Sequence, residues 1–553
     1  MANITKYTEK FIILIWSMAI IIVLPQSFNS YSYPKIFIFS IFNIMLIIHL
    51  VLLRNLKLNK IFTILLILFT VAGISQYLFY YIPYPFEFET NFILLFSILI
   101  FGTLIPNLKA SFEKPLFAIL AIESCFILYS AISFFPFKIA SKMDIKTLQG
   151  NPEFSSIYIT ATTLFLGNSK YCKNKSFKVI FLLFILAILL LLRSKTCIIF
   201  YILLIINYDF LKRISLRFKL IALSLIIATS TFLLLKFNLL KTFYGRILIW
   251  LTSFEMIKDH PFKGVGLGQF QSYHFDYQYK TLHNFNLPSS IKERAGSILR
   301  AHNEFLEFFL ELGAIPFTLL LILIFIYRKK IFIHKPYLFL FLMSFFTFPF
   351  HQLSTLFILP VLQKTSHSLS FNKYKVFYIL IPILFISSFI SYKTYQHLKS
   401  SILHKRALIA EAKNNTEATS LYEQALLTSN DYILHLDYSR FFSRSKKSIM
   451  AIKELLKLKS KSKRYDVQKD LAVNYSKIGL YKKSNAIFKR INFIYPKHYT
   501  PYYYLVINNI RLNNQAEVIK WYKKSIIIPP ISIKGKFEKI ILNDEINYFM
   551  QPD

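Results

Sequence analysis

The sequence predicts an all-α protein: a polytopic membrane helical bundle of about 12–13 spans with a C-terminal α-helical repeat domain. Three observations predict it. Hydrophobic residues make up 55% of the 553 positions, with Phe, Ile and Leu prominent, which is a membrane rather than a soluble composition. Apolar runs near the length that crosses a bilayer recur along the first 391 positions. From about residue 400 the chain becomes polar and repeats itself.

Candidate spans fall at 11–25, 35–53, 60–80, 91–106, 115–135, 155–167, 178–192, 196–210, 218–236, 313–327, 336–350, 352–363 and 375–391. Several are short and need neighbours to shield their ends. Lys6 and Lys10 ahead of the first run resemble the start of a secretory signal. Val23, Leu24 and Pro25 offer no small-x-small cleavage pattern, however, so the run reads as an anchor. Basic residues orient the bundle. Arg54, Lys57 and Lys60 fall in one short loop, and Lys109 and Lys114 in the next but one. Lys170 to Lys178, Lys212 to Lys219 and Arg328 to Lys330 continue the alternation. The N-terminus is therefore expected in the cytoplasm, and the stretch 244–313 on the far face of the membrane. Thirteen spans leave the tail on that outer face; an even count reverses it. The expected division is membrane helices at 1–236, a large loop on the far face at 237–312, membrane helices at 313–391 and a repeat domain at 400–553.

The three cysteines, Cys125, Cys172 and Cys197, show no disulfide framework. The net charge of +38 partly follows a Lys- and Phe-rich residue usage, of the kind an AT-rich genome gives, and no nucleic-acid partner is expected. In the tail, Tyr481 leads to Pro496 through Ala486 and Phe488. The same step runs from Gln515 to Pro530 through Trp521 and Tyr522, 34 residues later. Ala418, Tyr422, Ala425 and Leu426 make a fainter copy. That period is the tetratricopeptide helix-turn-helix unit, whose stacked copies share a core and leave a concave face; an ordinary helical bundle is the plainer reading. From Tyr392 onward, 29 Lys and Arg stand against 13 Asp and Glu, a basic surface that either meets anionic headgroups or glycan, or solvates helices.

Between the spans lies one long polar stretch with a fixed order of chemistry-bearing residues. It contains Arg246, Trp250, Asp259-His260-Pro261, the turn Gly264-Val265-Gly266-Leu267-Gly268, and then Ala301-His302-Asn303-Glu304 ahead of Gly313. The glycine pattern alone is weak, because no strand-turn-helix context supports a nucleotide fold. His260, His274, His283 and His302 lack ligand spacing with carboxylates, so no metal is expected. Taken together these residues resemble the superfamily of bacterial O-antigen ligases, O-antigen polymerases and O-linked oligosaccharyltransferases. Its signature is an Arg and Trp, a Pro before Gly-x-Gly-x-Gly, and His-Asn about thirty residues on. The likeness covers about residues 140 to 363. Gly150-Asn151-Pro152-Glu153 stands where relatives carry Gly and then Asn-Pro-Asn, so Glu153 departs from the pattern. Arg193-Ser194-Lys195 interrupts two apolar runs where many relatives have Ser-Arg; charge is kept, and either cation could face inward or snorkel. Phe350-His351-Gln352-Leu353 before Pro360 resembles the protein-glycosylating branch, with Ser354 and Thr355 in place of its acid.

The resemblance implies transfer of a preassembled glycan from undecaprenyl diphosphate on the periplasmic face of a bacterial inner (cytoplasmic) membrane, with no cofactor, nucleotide sugar or metal. The acceptor it leaves open is lipid A core, a protein Ser or Thr, or another growing glycan. Such chemistry asks for cations at the diphosphate, where guanidinium bonds in pairs and ammonium acts as a point charge. Arg246 fits first, then Lys195 or Arg193. An acceptor hydroxyl needs a base, and an imidazole suits that task. His302 is that candidate. Asn303, Asn151, Trp250, Gly264, Gly266, Gly268 and His351 complete the expected binding set. Glu123, an ionisable group inside an apolar run, reads equally as structural or as part of a substrate path. Two non-enzymatic classes compete: a flippase or transporter for lipid-linked oligosaccharide, which would show repeated halves and midplane charges, and a membrane-anchored scaffold.

Overall fold

The computed structural model describes residues 2–53, 56–79, 82, 85–133, 145–205, 239–362, 368–371, 373–459 and 464–527, together with 538, 542, 545 and 546. The expected span at 218–236, the basic residues from Lys212 to Lys219, and Pro530 lie outside them. The described chain is almost wholly helical.

Eight helices come first: α1 (Ala2–Ile21), α2 (Ser32–Leu53), α3 (Lys60–Phe79), α4 (Pro85–Leu104), α5 (Glu113–Ser133), α6 (Pro152–Leu166), α7 (Lys175–Leu191) and α8 (Lys195–Ile205). The polar stretch folds as α9 (Leu239–Asp259), α10 (Phe270–Asn284), α11 (Ser289–Lys292) and α12 (Glu304–Leu312). Then come α13 (Ala314–Ile326), α14 (Arg328–Ile333), α15 (Lys335–Met343), α16 (Leu353–Leu362) and the long α17 (Lys373–Ala412). Helices α2, α3, α4, α5 and α17 are long and apolar enough to cross a membrane, and α8, α13 and α16 are shorter apolar helices. This is an all-α polytopic membrane protein. An apolar helix satisfies its own backbone groups, which hydrocarbon requires.

Its central core is aromatic. Phe39 of α2 stacks on Phe357 of α16 at 4.1 Å, and Trp16 of α1 donates its indole N–H to the Phe357 carbonyl at 3.2 Å. Phe42 and Phe101 pack edge to face beside them. At the basic end, β1 (Leu56–Asn59) pairs antiparallel with β2 (Ser368–Phe371), and Asn107 bonds both backbone groups of Lys57 at 2.7 Å.

The last apolar run does not stop at a linker near residue 391. α17 continues unbroken for 40 residues and carries the chain from β2 at the basic end out to the tail. Ser40 holds it at Thr394 (3.1 Å) and Ser27 at Ser401 (2.7 Å), so polar side chains of the 391–401 stretch pack on α2 and on the turn before it. The tail then folds as α18 (Ala418–Thr428), α19 (Tyr432–Arg444), α20 (Ser448–Lys459), α21 (Tyr465–Lys477), α22 (Tyr481–Ile494), α23 (Tyr499–Arg511) and α24 (Gln515–Ile526). Each turn between paired helices has one left-handed residue. Asn414, Lys446, Gly479 and Asn513 take that place, with φ of 54°, 60°, 81° and 53°. Their spacing of 32 to 34 residues is that of a helix-hairpin repeat.

Tail and polar stretch share one apolar core. Leu248, Phe275, Leu282 and Ile291 pack with Phe488, Ile491, Tyr495 and Tyr502. Ion pairs rim it: Arg490–Asp276 at 2.6 Å, Lys497–Glu293 at 2.7 Å and Arg464–Glu87 at 2.5 Å. The tail and the polar stretch therefore lie on the same face of the bundle.

Candidate functional site

α9 supplies two of the expected residues, one turn apart. Trp250 donates its indole N–H to the carbonyl of Ala301 at 3.2 Å, which pins the backbone just before His302. On the other side of His302, Asn303 caps α12 by accepting the Leu306 N–H at 3.0 Å. The cap and the acidic first turn, Glu304 and Glu307, satisfy and complement the free amides of a helix start. Pinned from both sides, His302 sits at φ +54°, a left-handed conformation that a non-glycine residue adopts at a cost of roughly 1 kcal/mol or more. Such strain persists where the surroundings over-determine it, and here they do.

Arg246, His302, Glu153 and Glu307 lie close enough to influence one another. Burial lowers the His302 pKa first, and the Arg246 guanidinium lowers it further against the opposing charges of Glu307 and Glu153. The ring is therefore neutral at neutral pH and has a free lone pair. Phe348 lies edge-on to it at 5.3 Å. Burial also lowers the Arg246 pKa, and the charge of Glu153 opposes that shift. Asn151 accepts the Glu153 N–H at 2.8 Å and caps α6, so it aims Glu153 toward this group. The residue that departs from the family pattern is thus the one whose charge reaches Arg246 and His302.

Behind His302 stands a row of which the sequence motif contains only Glu304. Glu304, Glu307 and Glu311 are all buried. Glu307 accepts Arg300 at 2.9 Å and the Ala301 N–H at 2.8 Å. Glu304 accepts the Phe350 N–H at 2.7 Å. His351 lies between them, with Nδ1 3.0 Å from Glu304 and Nε2 3.6 Å from Glu307. Burial and Arg300 oppose its charge, but the two carboxylates outweigh them and raise its pKa. For Glu307, burial opposes ionisation and His351 with Arg300 more than offsets it, so its pKa is lowered. Glu311 is pushed up to about 7 by burial and then by Glu307. The two histidines are thereby divided: burial and Arg246 lower the pKa of His302, while Glu304 and Glu307 raise that of His351. Environments that push like groups apart in this way separate their chemical roles. Glu307, Glu311 and His351 bring one ligand atom each within 4.8 Å of one another, which is cation-binding geometry. Arg300 and His351 already supply positive charge to those acids. The row was readable as three Glu on one side of an otherwise apolar helix; only the contact with Arg300 and His351 gives it meaning.

The glycine turn braces this helix from its far end. Val265 and Gly266 donate their N–H groups to the carbonyls of Leu310 and Glu311 at 2.8 and 3.1 Å. Gly264 has φ +67°, and a Cβ there would lie 2.4 Å from the Glu311 carbonyl oxygen, so a side chain has no room. Gly266 and Gly268 share the left-handed conformation. The turn thus fixes where α12 ends.

Arg193 and Lys195 are exposed at the break between α7 and α8, and Arg193 has φ +52°. Glu123 is buried and accepts Ser155 at 2.6 Å and Gln149 at 3.4 Å, while Lys35 donates to Gln149 at 2.7 Å. This polar network anchors the segment leading to Asn151. Of the other loop histidines, His260 touches Tyr277 at 3.2 Å, His274 is buried with its pKa pushed down to about 4, and His283 is exposed. None is among the groups that act on His302.

Residues 179–321 match a protein family described as O-antigen ligase. The matched segment runs from α7 through α13 and contains Arg193, Lys195, Arg246, Trp250, the three glycines, His302 and Asn303; Asn151 and His351 fall outside it. No curated protein matches the chain.

Proposed function

We propose, on the premise that this chain belongs to the O-antigen ligase superfamily of membrane glycosyltransferases, that it moves a preassembled glycan from undecaprenyl diphosphate to an acceptor hydroxyl. The observation that carries this reading is His302: strained, neutral, and set beside Arg246 at the mouth of a buried acid row. In the reaction the acceptor oxygen attacks the sugar carbon that bears the diphosphate. His302 takes the hydroxyl proton, the carbon–oxygen bond to the diphosphate breaks, and undecaprenyl diphosphate leaves with the electron pair. Negative charge grows on that leaving group, so Arg246, helped by Lys195 or Arg193, stabilises the transition state more than the ground state. Trp250, Asn303 and the Glu307–Arg300 pair hold the base in place. His351, between the two carboxylates, holds Glu304 and Glu307 in place.

An apolar cavity of about 210 Å³ supports a lipid substrate. It is lined by Phe62, Phe69, Leu95, Phe308 and Leu320, with Glu304 at its wall, and offers room for part of a polyprenyl tail beside the acid row. The basic loops support a periplasmic site in the inner membrane. The tail, read as tetratricopeptide-like repeats, supports an acceptor larger than one sugar, because it packs directly on α9 and α10. That favours a ligase acting on lipid A core, or a protein O-oligosaccharyltransferase, over a polymerase. A deletion strain tests the acceptor. Unmodified lipid A core or unglycosylated protein is the expected finding; single-repeat glycan on an otherwise modified acceptor would make the enzyme a polymerase instead.

A further inference from the structure

A large cavity lies at the opposite end of the bundle from His302. It is a cleft of about 870 Å³ between α1 and α5. Lys6, Lys10, Lys109, Lys114 and Lys170 stand around its mouth, all exposed. One acid, Glu9, also reaches the cleft, but its charge is spent inward. It is buried, accepts the N–H groups of Lys109 and Ala110 at 3.2 and 2.9 Å, and faces His49 at 3.9 Å. The same contacts staple α1 to the turn before α5 and fix the shape of the mouth. Among the described residues none of the five lysines has an ion-pair partner.

Below this rim the walls change to hydrocarbon. Leu14, Met18, Ala118 and Ile122 line the cleft and are exposed, as lipid-facing side chains of membrane helices are. Below the lysines the lining runs along α1 from Ile13 to Ile21, about 12 Å at the rise of an α-helix, close to one leaflet's share of the hydrocarbon core. A cationic mouth at the headgroup level above an apolar slot of acyl-chain length is complementary to one kind of molecule. We propose that the α1–α5 cleft binds an anionic phospholipid of the leaflet on the basic, cytoplasmic side, its phosphate among the lysines and an acyl chain between the helices. Basic pockets between membrane helices recognise anionic headgroups by this combination of charge and slot. A zwitterionic headgroup carries a compensating cation and gains far less from the same lysines.

The full chain, purified and placed in nanodiscs of phosphatidylglycerol and phosphatidylcholine in equal amounts, tests this by native mass spectrometry of retained lipid. Phosphatidylglycerol is expected to be retained in preference. Each lysine near the surface contributes about fivefold, so the combined change Lys10→Gln, Lys109→Gln and Lys114→Gln should weaken retention on the order of 100-fold. Ala118→Phe should displace the lipid while leaving every charge in place. Arg328→Gln with Lys329→Gln and Lys330→Gln removes three cations from another loop of the same side, and should leave retention unchanged. Equal retention of the two lipids, or loss in the Arg328 variant as large as in the Lys10 variant, overturns the site. Displacement by glycerol phosphate alone would reduce it to a site for a free anion and overturn the lipid assignment. The readout needs no glycan transfer, so it stands or falls apart from the proposed enzymatic function.

Discussion

Replacing His302 by Ala is expected to reduce glycan transfer by about 100- to 10,000-fold, the range that a positioned general base supplies, while the lipid-linked donor accumulates. His302→Gln should fail as badly. The amide can form a hydrogen bond to the acceptor but cannot take its proton. His260→Ala and His283→Ala should be tolerated, because neither ring reaches the Arg246–His302 group. The pH dependence carries a sign. Burial and Arg246 hold the His302 pKa below the ordinary 6.5, so the neutral base persists on mild acidification and activity falls only at a pH below that value. Glu153 opposes this depression. Glu153→Gln should therefore move the acid limb of the transfer profile to still lower pH. A His302→Gln enzyme with near-normal transfer would show that the residue only orients the acceptor.

Arg246→Ala is expected to cost about 100- to 1000-fold in transfer, as loss of one group that meets charge developing in a transition state does. Arg246→Lys keeps the charge but loses the planar fork that pairs with phosphate oxygens, so a large part of the loss should remain. The variants should also differ from His302→Ala in their pH profile. Removing the guanidinium relieves His302 of a like charge, which raises its pKa and moves the acid limb to higher pH; Arg246→Lys should leave it nearly in place. Protein level is expected to stay normal, since Arg246 is only half-buried and braces no helix. Full activity in Arg246→Ala would remove this residue from the diphosphate.

Much of the fold was legible because membrane helices announce themselves locally. A run such as Ser32–Leu53 or Glu113–Ser133 has one stable form in hydrocarbon, and its limits follow from where apolar residues give out. In the tail, the left-handed residues Lys446, Gly479 and Asn513 follow one another at steps of 33 and 34 residues, close to the spacing between the two sequence segments. The border near residue 391 was not. A change from apolar to polar side chains marks a change of solvent, and nothing in Ser391 to Ser401 forbids helix, so α17 runs straight through it. In the site, Trp250, His302 and Asn303 were visible as a motif. The acid row was readable as three Glu on one helix but its setting was not, because its partners Arg300 and His351 come from different loops and only folding sets them beside Glu307. The docking of the tail was equally hidden: Arg490 meets Asp276 from 214 positions away, a pairing no local pattern encodes. Gly264 shows both sides of this. Its need for a side-chain-free turn was readable, while the carbonyl of Glu311 that enforces the need was not.

The account stands most directly on one reconstitution. The purified chain is placed in vesicles with a radiolabelled undecaprenyl-diphosphate-linked glycan and the acceptor that the deletion strain identifies, with no nucleotide sugar. Free undecaprenyl diphosphate should appear in step with labelled acceptor for the native chain, and neither should appear for His302→Gln. Glycan that crosses the vesicle membrane still joined to its lipid, with no diphosphate released and no difference between the two chains, would make this protein a carrier of lipid-linked glycan and contradict its reading as an enzyme.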